Sequence, residues 1–347
     1  MYACLKSLKN KRERGAVLIM VLLIVALVAG LGIKFAGDYQ LGLARAEARW
    51  HGAQARAYLF SGEGAAIKFL ATDDAGVDHR EELWAQPVPI QLPDNMGHLL
   101  ISLDDANAKF NLNRLSVVKT DFANKAPSDA SRYTTAQLMF IRLLQVLPDQ
   151  QDPHAMLVQS PEIATAILEA IVDWTDQDMD PSGSNGAEND YYLGLPDPYQ
   201  AANLPFRSVE ELQMIRGVTP QIMQALRPYV TVLDPSEVLN INTMPELLFR
   251  CINLNTELSP LSEAQAKSLV AEKPVTGFYA NLADFGTSWN KIVGGGQAPL
   301  GREFAVATKY FWLTTLVQIG DQRRIGRSLL LRGNQSFSVV RREEGML

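Results

Sequence analysis

Residues 16–33 run for eighteen positions without a charge, from Ala16-Val17-Leu18 to Ile33. A helix needs about 20 apolar residues to cross a ~30 Å hydrocarbon core, so this run is long enough to span a bilayer. Lys34 and Asp38 close it, and Lys6, Lys9, Lys11, Arg12 and Arg14 precede it. That basic head predicts a cytoplasmic N-terminus and a body carried across the membrane. In an ordinary secretory signal the cleavage site follows the apolar stretch, which is then lost. Here the best junction, Arg14-Gly15 before Ala16-Val17, precedes it. Cutting there would remove only the basic leader and keep the apolar helix. An uncleaved anchor, or a signal cut near Ala29-Gly30, are the alternatives.

This arrangement resembles the type IV prepilin-like leader, in which a dedicated peptidase cuts after glycine. The resemblance implies cleavage between Gly15 and Ala16 and N-methylation of Ala16. Most proteins of this kind carry glutamate as the fifth mature residue, whereas this chain has Met20. The K-type minor pseudopilin of type II secretion is the one known to lack it. The missing carboxylate spares a costly intramembrane charge. It also removes the group thought to pair with a neighbouring subunit's N-terminus.

Helical spacing continues beyond the span. Leu41, Ala44, Ala48, Ala55, Leu59 and Ala66 recur at helical intervals without proline, and Asp73-Asp74-Ala75-Gly76 ends the pattern. One helix over 16–70 would be about 80 Å long. Gly30, Gly32, Gly37 and Gly42 would weaken its middle, at roughly 0.5–1 kcal/mol each against alanine. Strands are expected at Val88–Leu92 and Leu99–Leu103, with a turn at Pro93–Gly97 and a third strand at Ala108–Asn113. From about 114 to 300 the spacing becomes helical. Ser160-Pro161-Glu162 reads as a helix start, after which Ile163, Ile167, Ala170 and Trp174 share a face. Ser208-Val209-Glu210-Glu211, Thr243-Met244-Pro245-Glu246 and Ser262-Glu263-Ala264-Gln265 read as capping boxes. The tail alternates again over Tyr310–Ile319, Ile325–Leu331 and Ser336–Arg341, separated by Gly320-Asp321 and Gly333-Asn334.

Seven carboxylates fall between residues 173 and 197 without one lysine or arginine: Asp173, Asp176, Asp178, Asp180, Glu188, Asp190 and Asp197. Such a cluster repels itself unless protons or cations neutralise it. Calcium takes six to eight oxygens from carboxylates, amides and backbone carbonyls in flexible geometry, and this stretch offers all three. A solvated acidic loop, or aspartates that cap helices, is the alternative, and Asp173 could cap its own helix. The absence of histidine and cysteine argues against zinc. His51, His79, His98 and His154 are scattered, and Cys4 would leave with the leader, so the mature chain would keep only Cys251.

The formal charge is −6, and losing the leader's five basic residues and one acidic residue takes it to −10. An acidic body disfavours binding to a phosphate backbone. Val209–Val218 nevertheless looks like half a helix-hairpin-helix, and Leu239–Thr243 like the entry to another. A membrane-anchored DNA receptor is therefore a second reading. Against it, the hairpin is reduced to a single Gly217, which simply allows a turn of positive φ. No nucleophile elbow or Ser–His or Cys–His pairing points to an enzyme.

Several phrases together are similar to general secretion pathway protein K, the K-type minor pseudopilin family. They are Asp105–Asn113, Ile171-Val172-Asp173-Trp174-Thr175-Asp176-Gln177-Asp178, Gly186-Ala187-Glu188-Asn189-Asp190-Tyr191-Tyr192, Asn203-Leu204-Pro205-Phe206 and Ser208–Gly217. The resemblance implies an α+β pilin-like fold, a long N-terminal helix on an antiparallel sheet with a large helical domain inserted between strands. It divides the chain into a leader (1–15), a transmembrane part (16–36), a periplasmic helix (37–72), first pilin strands (73–113), an inserted helical domain (114–302) and C-terminal strands (303–347). It implies one or two calcium ions held by Asp176, Asp178, Asp180, Glu188 and Asp190, with Asp173, Asn185 and Asp197 as further candidates. It also implies an inner-membrane protein with a periplasmic body at the pseudopilus tip, beside I- and J-type minor pseudopilins, with the H-type and major pseudopilins as further partners. A minor pilin of a related type IV system is the alternative within the same fold.

Overall fold

A computed structural model describes the backbone of residues 3–346 other than 121, 150, 151, 153, 154, 159, 297, 299, 301 and 335. It describes side chains from residue 15 onward, those of 123 and 346 excepted. His154 and the side chains of the basic leader therefore lie outside the described residues. Helix α1 runs unbroken from Ala3 to Leu70. Sixty-eight residues make it roughly 100 Å long. The four glycines at 30, 32, 37 and 42 do not interrupt it, and a Cβ at any of them would meet nothing within 4 Å.

Residues 15–50 of α1 are exposed throughout, including the whole apolar run. Packing starts near Gly52, later than position 37 where the periplasmic half was expected to begin. Ala55, Leu59, Ala66 and Leu70 then form one buried stripe, as an amphipathic helix requires. Gly62 lies on this side because a Cβ there would sit 2.8 Å from Thr315 Cγ2. Glu63 is also buried, and it is compensated by Arg342 at 2.9 Å and Ser328 Oγ at 2.5 Å.

The strands follow in chain order as β1 (Val88–Gln91), β2 (Gly97–Asp105), β3 (Phe110–Asn111), β4 (Val230–Thr231), β5 (Leu239–Asn240), β6 (Phe304–Ala305), β7 (Tyr310–Ile319), β8 (Gln322–Arg332) and β9 (Phe337–Met346). The sheet under α1 is antiparallel with order β1-β2-β7-β8-β9. In β7, burial alternates residue by residue along the strand, the signature of a sheet with two unlike faces. Leu99, Ile101, Leu103, Phe311, Leu313 and Val317 pack on the α1 stripe.

Between β2 and β7 in chain order come α2 (Thr135–Gln145), α3 (Pro161–Thr175), α4 (Asn189–Leu193), α5 (Pro220–Leu226), α6 (Glu246–Phe249), α7 (Glu263–Ala271) and α8 (Leu282–Ile292). They surround a separate core that includes Phe140, Leu168, Tyr192, Phe249 and Trp289. Cys251 belongs to it, and burial pushes its thiol up to about 12, which makes it an inert packing residue. Arg142 is buried there too, and its guanidinium satisfies loop carbonyls at Cys251, Asn253, Leu254 and Glu257.

Several expectations are corrected. The third strand is not part of the main sheet, because Phe110–Asn111 pairs in parallel with Val230–Thr231 in the helical region. The 3₁₀ turn at Ala106–Ala108, capped by Asp105 accepting from Asn107 N–H, turns the chain away from β2. Phe304–Ala305 likewise pairs with Leu239–Asn240, so the C-terminal sheet strands begin at Tyr310. Ser208 and Ser262 do form capping boxes, and so does Thr134 with Gln137. Thr243 does not, since Pro245 is the N-cap of α6 and the Thr243 hydroxyl donates to Asp105 instead. Ile163 is exposed, unlike Ile167, Ala170 and Trp174.

Asp105 is where the two cores meet. Its buried carboxylate accepts from Thr243 Oγ1, from Thr308 Oγ1 at 2.6 Å, from Asn240 Nδ2 at 3.1 Å and from Asn107 N–H at 2.7 Å. Asp105→Ala strands these donors, and a buried unsatisfied group costs about 1–3 kcal/mol. The variant is therefore expected to lose at least about 3 kcal/mol in urea unfolding of the chain. A loss under about 1 kcal/mol would show that Asp105 does not tie the two parts together.

Candidate metal centre

Helix α3 starts where its sequence says it should. Ser160 Oγ accepts from Ile163 N–H, and Pro161 fills the first turn. From there the helical spacing places Glu169 and Asp173, at i and i+4, on one side of its C-terminal half, and Asp176 follows as its C-cap with extended backbone. These carboxylates lie at the negative end of the helix dipole, which does nothing to stabilise them.

Glu169 is compensated. It forms a buried ion pair with Arg132 at 2.7 Å, and its other oxygen accepts from Asn185 N–H at 3.0 Å. Asp173 is fully buried, and one oxygen accepts from Ser182 N–H at 2.9 Å. These two bonds fold the acidic loop back over α3. Gly186 permits the closest approach, since a Cβ there would sit 2.3 Å from Asp173 Oδ2. The fold thereby brings Glu188 onto Asp173 and Asp176, so that one carboxylate oxygen from each lies within 4.8 Å of the others. Asp173 Oδ2, Asp176 Oδ1 and both Glu188 oxygens are buried without a hydrogen-bond partner among the described residues.

Burial, then the neighbouring carboxylates, raises Asp176 from 3.8 to about 7 and Glu188 from 4.5 to about 7. Asp173 is raised for the same first reason, against the bonds from Ser182 and Ala187. A second cluster, Asp73, Asp78 and Glu82, marks the contrast. There Arg332 bonds Asp73 and Asp78 at 2.8 Å, Thr308 N–H donates to Asp78, and Trp84 Nε1 and His79 N–H donate to Glu82. That cluster has its counter-charge built in; among the described residues the one on α3 does not.

The sequence-derived set is thus reordered. Asp173 is no helix cap, because it lies inside α3 and takes its donors from the loop. Asp178 is exposed, but its charge helps to raise both Asp176 and Glu188, and one of its oxygens accepts from Asp180 N–H. Asp180, Asp190 and Asp197 are exposed and outside the three-carboxylate cluster, with Asp190 in the first turn of α4. Asn185 holds Glu169 through its backbone. Asn203 was not anticipated. It adopts φ +46° with a buried Oδ1 that has no partner among the described residues, while its Nδ2 donates to the Asp178 carbonyl at 3.4 Å. Nothing local in the sequence links it to residues 25 positions earlier.

The half-hairpin sequence packs on this loop. Tyr199 OH donates to the Met214 carbonyl, Arg216 N–H donates to Tyr192 OH, and Arg216 Nη1 reaches the Gly186 carbonyl at 3.3 Å. Val209–Met214 is a 3₁₀ turn, and Gly217 has φ +85°. Its surroundings are the acidic loop, an unfavourable neighbour for a nucleic-acid phosphate.

The raised values fix a pH dependence. Without a cation, the folded chain keeps protons on Asp176 and Glu188 that the unfolded chain releases near pH 4. Stability from this site therefore falls as pH rises from about 4 to about 7 and then levels off. Thermal melting in chelator is expected to give a larger destabilisation between about pH 5 and about pH 8 in the native chain than in Glu188→Gln. Equal slopes would mean that the cluster is not proton-coupled.

Comparison with known proteins places these features in context. The family model for type II secretion system (T2SS), protein K, matches residues 108–235, which include β3, α3 and the acidic loop. Type II secretion system protein K of Pseudomonas aeruginosa is 30% identical over 353 residues, covering 97% of this chain and 94% of that protein. The Aeromonas hydrophila protein of the same name is 30% identical over 339 residues, covering 96% and 97%. In the crystal structure of the GspK-GspI-GspJ complex from enterotoxigenic Escherichia coli, one chain matches with a TM-score of 0.67 at 23% identity. The match covers 87% of this chain and all of that one, and shows the fold. With both relatives matched over nearly their full length, the chain belongs to the type II secretion system protein K family.

Proposed function

We propose that this chain is a non-enzymatic minor pseudopilin that caps or initiates the tip of the type II secretion pseudopilus. One observation carries the reading. An apolar helix exposed over residues 15–50 runs without a break into the helix that packs on the sheet. An exposed apolar stretch of this length needs lipid or partner helices to cover it. Leader cleavage by the prepilin peptidase between Gly15 and Ala16, with methylation of Ala16, would free that helix for lateral assembly. The N-terminus would lie on the cytoplasmic side of the inner membrane and the folded body in the periplasm. Met20 leaves no carboxylate for an earlier subunit's N-terminus, which suits a subunit with none above it. The helical region between β2 and β7 adds bulk that a shaft position would have to accommodate at every repeat.

The partners that fit are the I- and J-type minor pseudopilins, since the solved structure of similar fold is a complex of GspK with GspI and GspJ. Contacts with the H-type and major pseudopilins would follow from filament assembly. No nucleic acid is required. The detergent-solubilised chain is expected to co-purify with I- and J-type proteins and to give no mobility shift with duplex DNA at low salt. Shift without co-purification would favour the DNA-receptor reading.

The cluster on α3 fits a hard divalent cation. Three carboxylates with unpartnered oxygens, two of them buried, match calcium's oxygen preference, and a cation would replace the protons they hold. Asp173, Asp176 and Glu188 would be the inner ligands. Asp178, whose charge acts on Asp176 and Glu188, and the Asn203 amide oxygen would be candidates to complete the set, and Asp180, Asn185, Asp190 and Asp197 could serve a second, outer ion. Calcium would supply structure, not chemistry: binding the folded state stabilises it by about 2.7 kcal/mol at a hundredfold excess over Kd. Calcium is expected to raise the melting temperature of the native chain, increasingly as pH rises, and to leave Asp176→Ala and Glu188→Ala unmoved. No rise at millimolar calcium would leave the loop without a metal role.

A further inference from the structure

None of the acidic-loop residues lines a cleft of about 540 Å³ between the end of β2 and the helical region. Trp84, Leu103, Pro245 and Trp312 give it apolar walls, and Arg80, Lys109 and Arg327 line it with positive charge. In a chain with more acidic than basic residues, this is a local reversal of sign.

These cations are poorly compensated. Arg80 donates through Nε at 2.9 Å, and through Nη2, to the Thr243 carbonyl, a neutral acceptor. Lys109 is half-buried, and desolvation together with the like charge of Arg327 lowers its pKa. Among the described residues neither Arg80 nor Lys109 has an ion-pair partner. Arg327 lies over the Trp312 ring at 4.6 Å and touches Glu343 only at 3.8 Å. Two carboxylates also line the cleft. Asp104 is exposed and attracts Lys109 weakly from its edge. Asp105 is already committed to Thr243, Thr308, Asn240 and Asn107. A partly desolvated ammonium without a counter-ion is costly unless a ligand brings one.

We propose that this cleft receives an acidic peptide segment of a partner protein, with a carboxylate between Lys109 and Arg80 and an apolar side chain against Trp84 and Trp312. The volume exceeds that of a small inorganic anion, and the apolar walls would be wasted on one. Duplex nucleic acid would need many phosphate contacts across a broad basic face, which Asp104 and Glu343 interrupt. An arginine stacked on an indole, beside a lysine, is a recurrent way to hold a carboxylate without losing apolar contact.

The test uses the full chain in detergent and fluorescein-labelled Glu-Leu-Glu-Leu-Glu-Leu, read by fluorescence anisotropy at low salt. Binding is expected to weaken at least about tenfold when glutamine replaces each glutamate of the peptide, and to fade as salt rises. Lys109→Gln and Arg80→Gln are each expected to weaken it at least about threefold, and the pair about tenfold. Arg227→Gln, remote and paired with Glu210, should change nothing. Arg80 is exposed, so its variant keeps the test valid if Lys109→Gln lowers the melting temperature. Equal binding of the neutral peptide, unchanged binding by the variants, no binding at millimolar peptide, or displacement by equimolar phosphate would each overturn the proposal.

Discussion

The Asp105 carboxylate is the constraint on which the two halves of the body depend. It ends β2, caps the turn that leaves the sheet, and accepts from side chains on both sides of the returning chain. Burying a carboxylate is expensive, and it is tolerated here because its hydrogen-bonding capacity is filled. Next to it Asp78, also buried, pairs with Arg332 and accepts from Thr308 N–H. Burial still outweighs the arginine and raises Asp78 to about 7. A chain that leaves a sheet for about 200 residues must return in register, and β2 and β7 meet from Gly97–Ile319 to Asp105–Phe311. The polar network sits where that register is fixed.

Charge is handled differently at three other places, and the differences separate structure from function. Glu63 on α1 is matched by Arg342, which fastens the helix to β8 and β9. Glu169 on α3 is matched by Arg132, which fastens the loop to the helix. Asp173, Asp176 and Glu188 are gathered with no cation among the described residues. A buried group whose charge is compensated contributes to a fixed geometry. A group left without compensation needs something from outside, whether a proton or an ion.

The pattern also explains why the hairpin-like segment misleads when read alone. Ser208 and Glu211 do form the expected capping box, and Gly217 does take positive φ. Local geometry was legible because a cap and a turn depend on residues three or four apart. What the segment faces was not. Tyr192 and Gly186 come from the acidic loop and Tyr199 directly follows it, and they turn the hairpin into a brace for that loop.

The amino-acid sequence by itself determined the features set by short-range periodicity and composition. These were the apolar run in α1, the alternation in β7 and its turn at Gly320, the start of α3 at Ser160, and the excess of carboxylates after Asp173. Tertiary structure decided which of those carboxylates meet. Of the carboxylates the resemblance pointed to, Asp178, Asp180 and Asp190 are exposed. Asp173 in the last turns of α3 and Asp176 at its C-cap, closed by Glu188 from the returning loop, made the buried cluster. Tertiary structure also moved Phe110–Asn111 out of the sheet to pair with Val230–Thr231. The reason is physical: helix and strand formation answer to neighbours a few residues away, whereas the burial and compensation of a charge depend on whatever distant segment the fold packs against it.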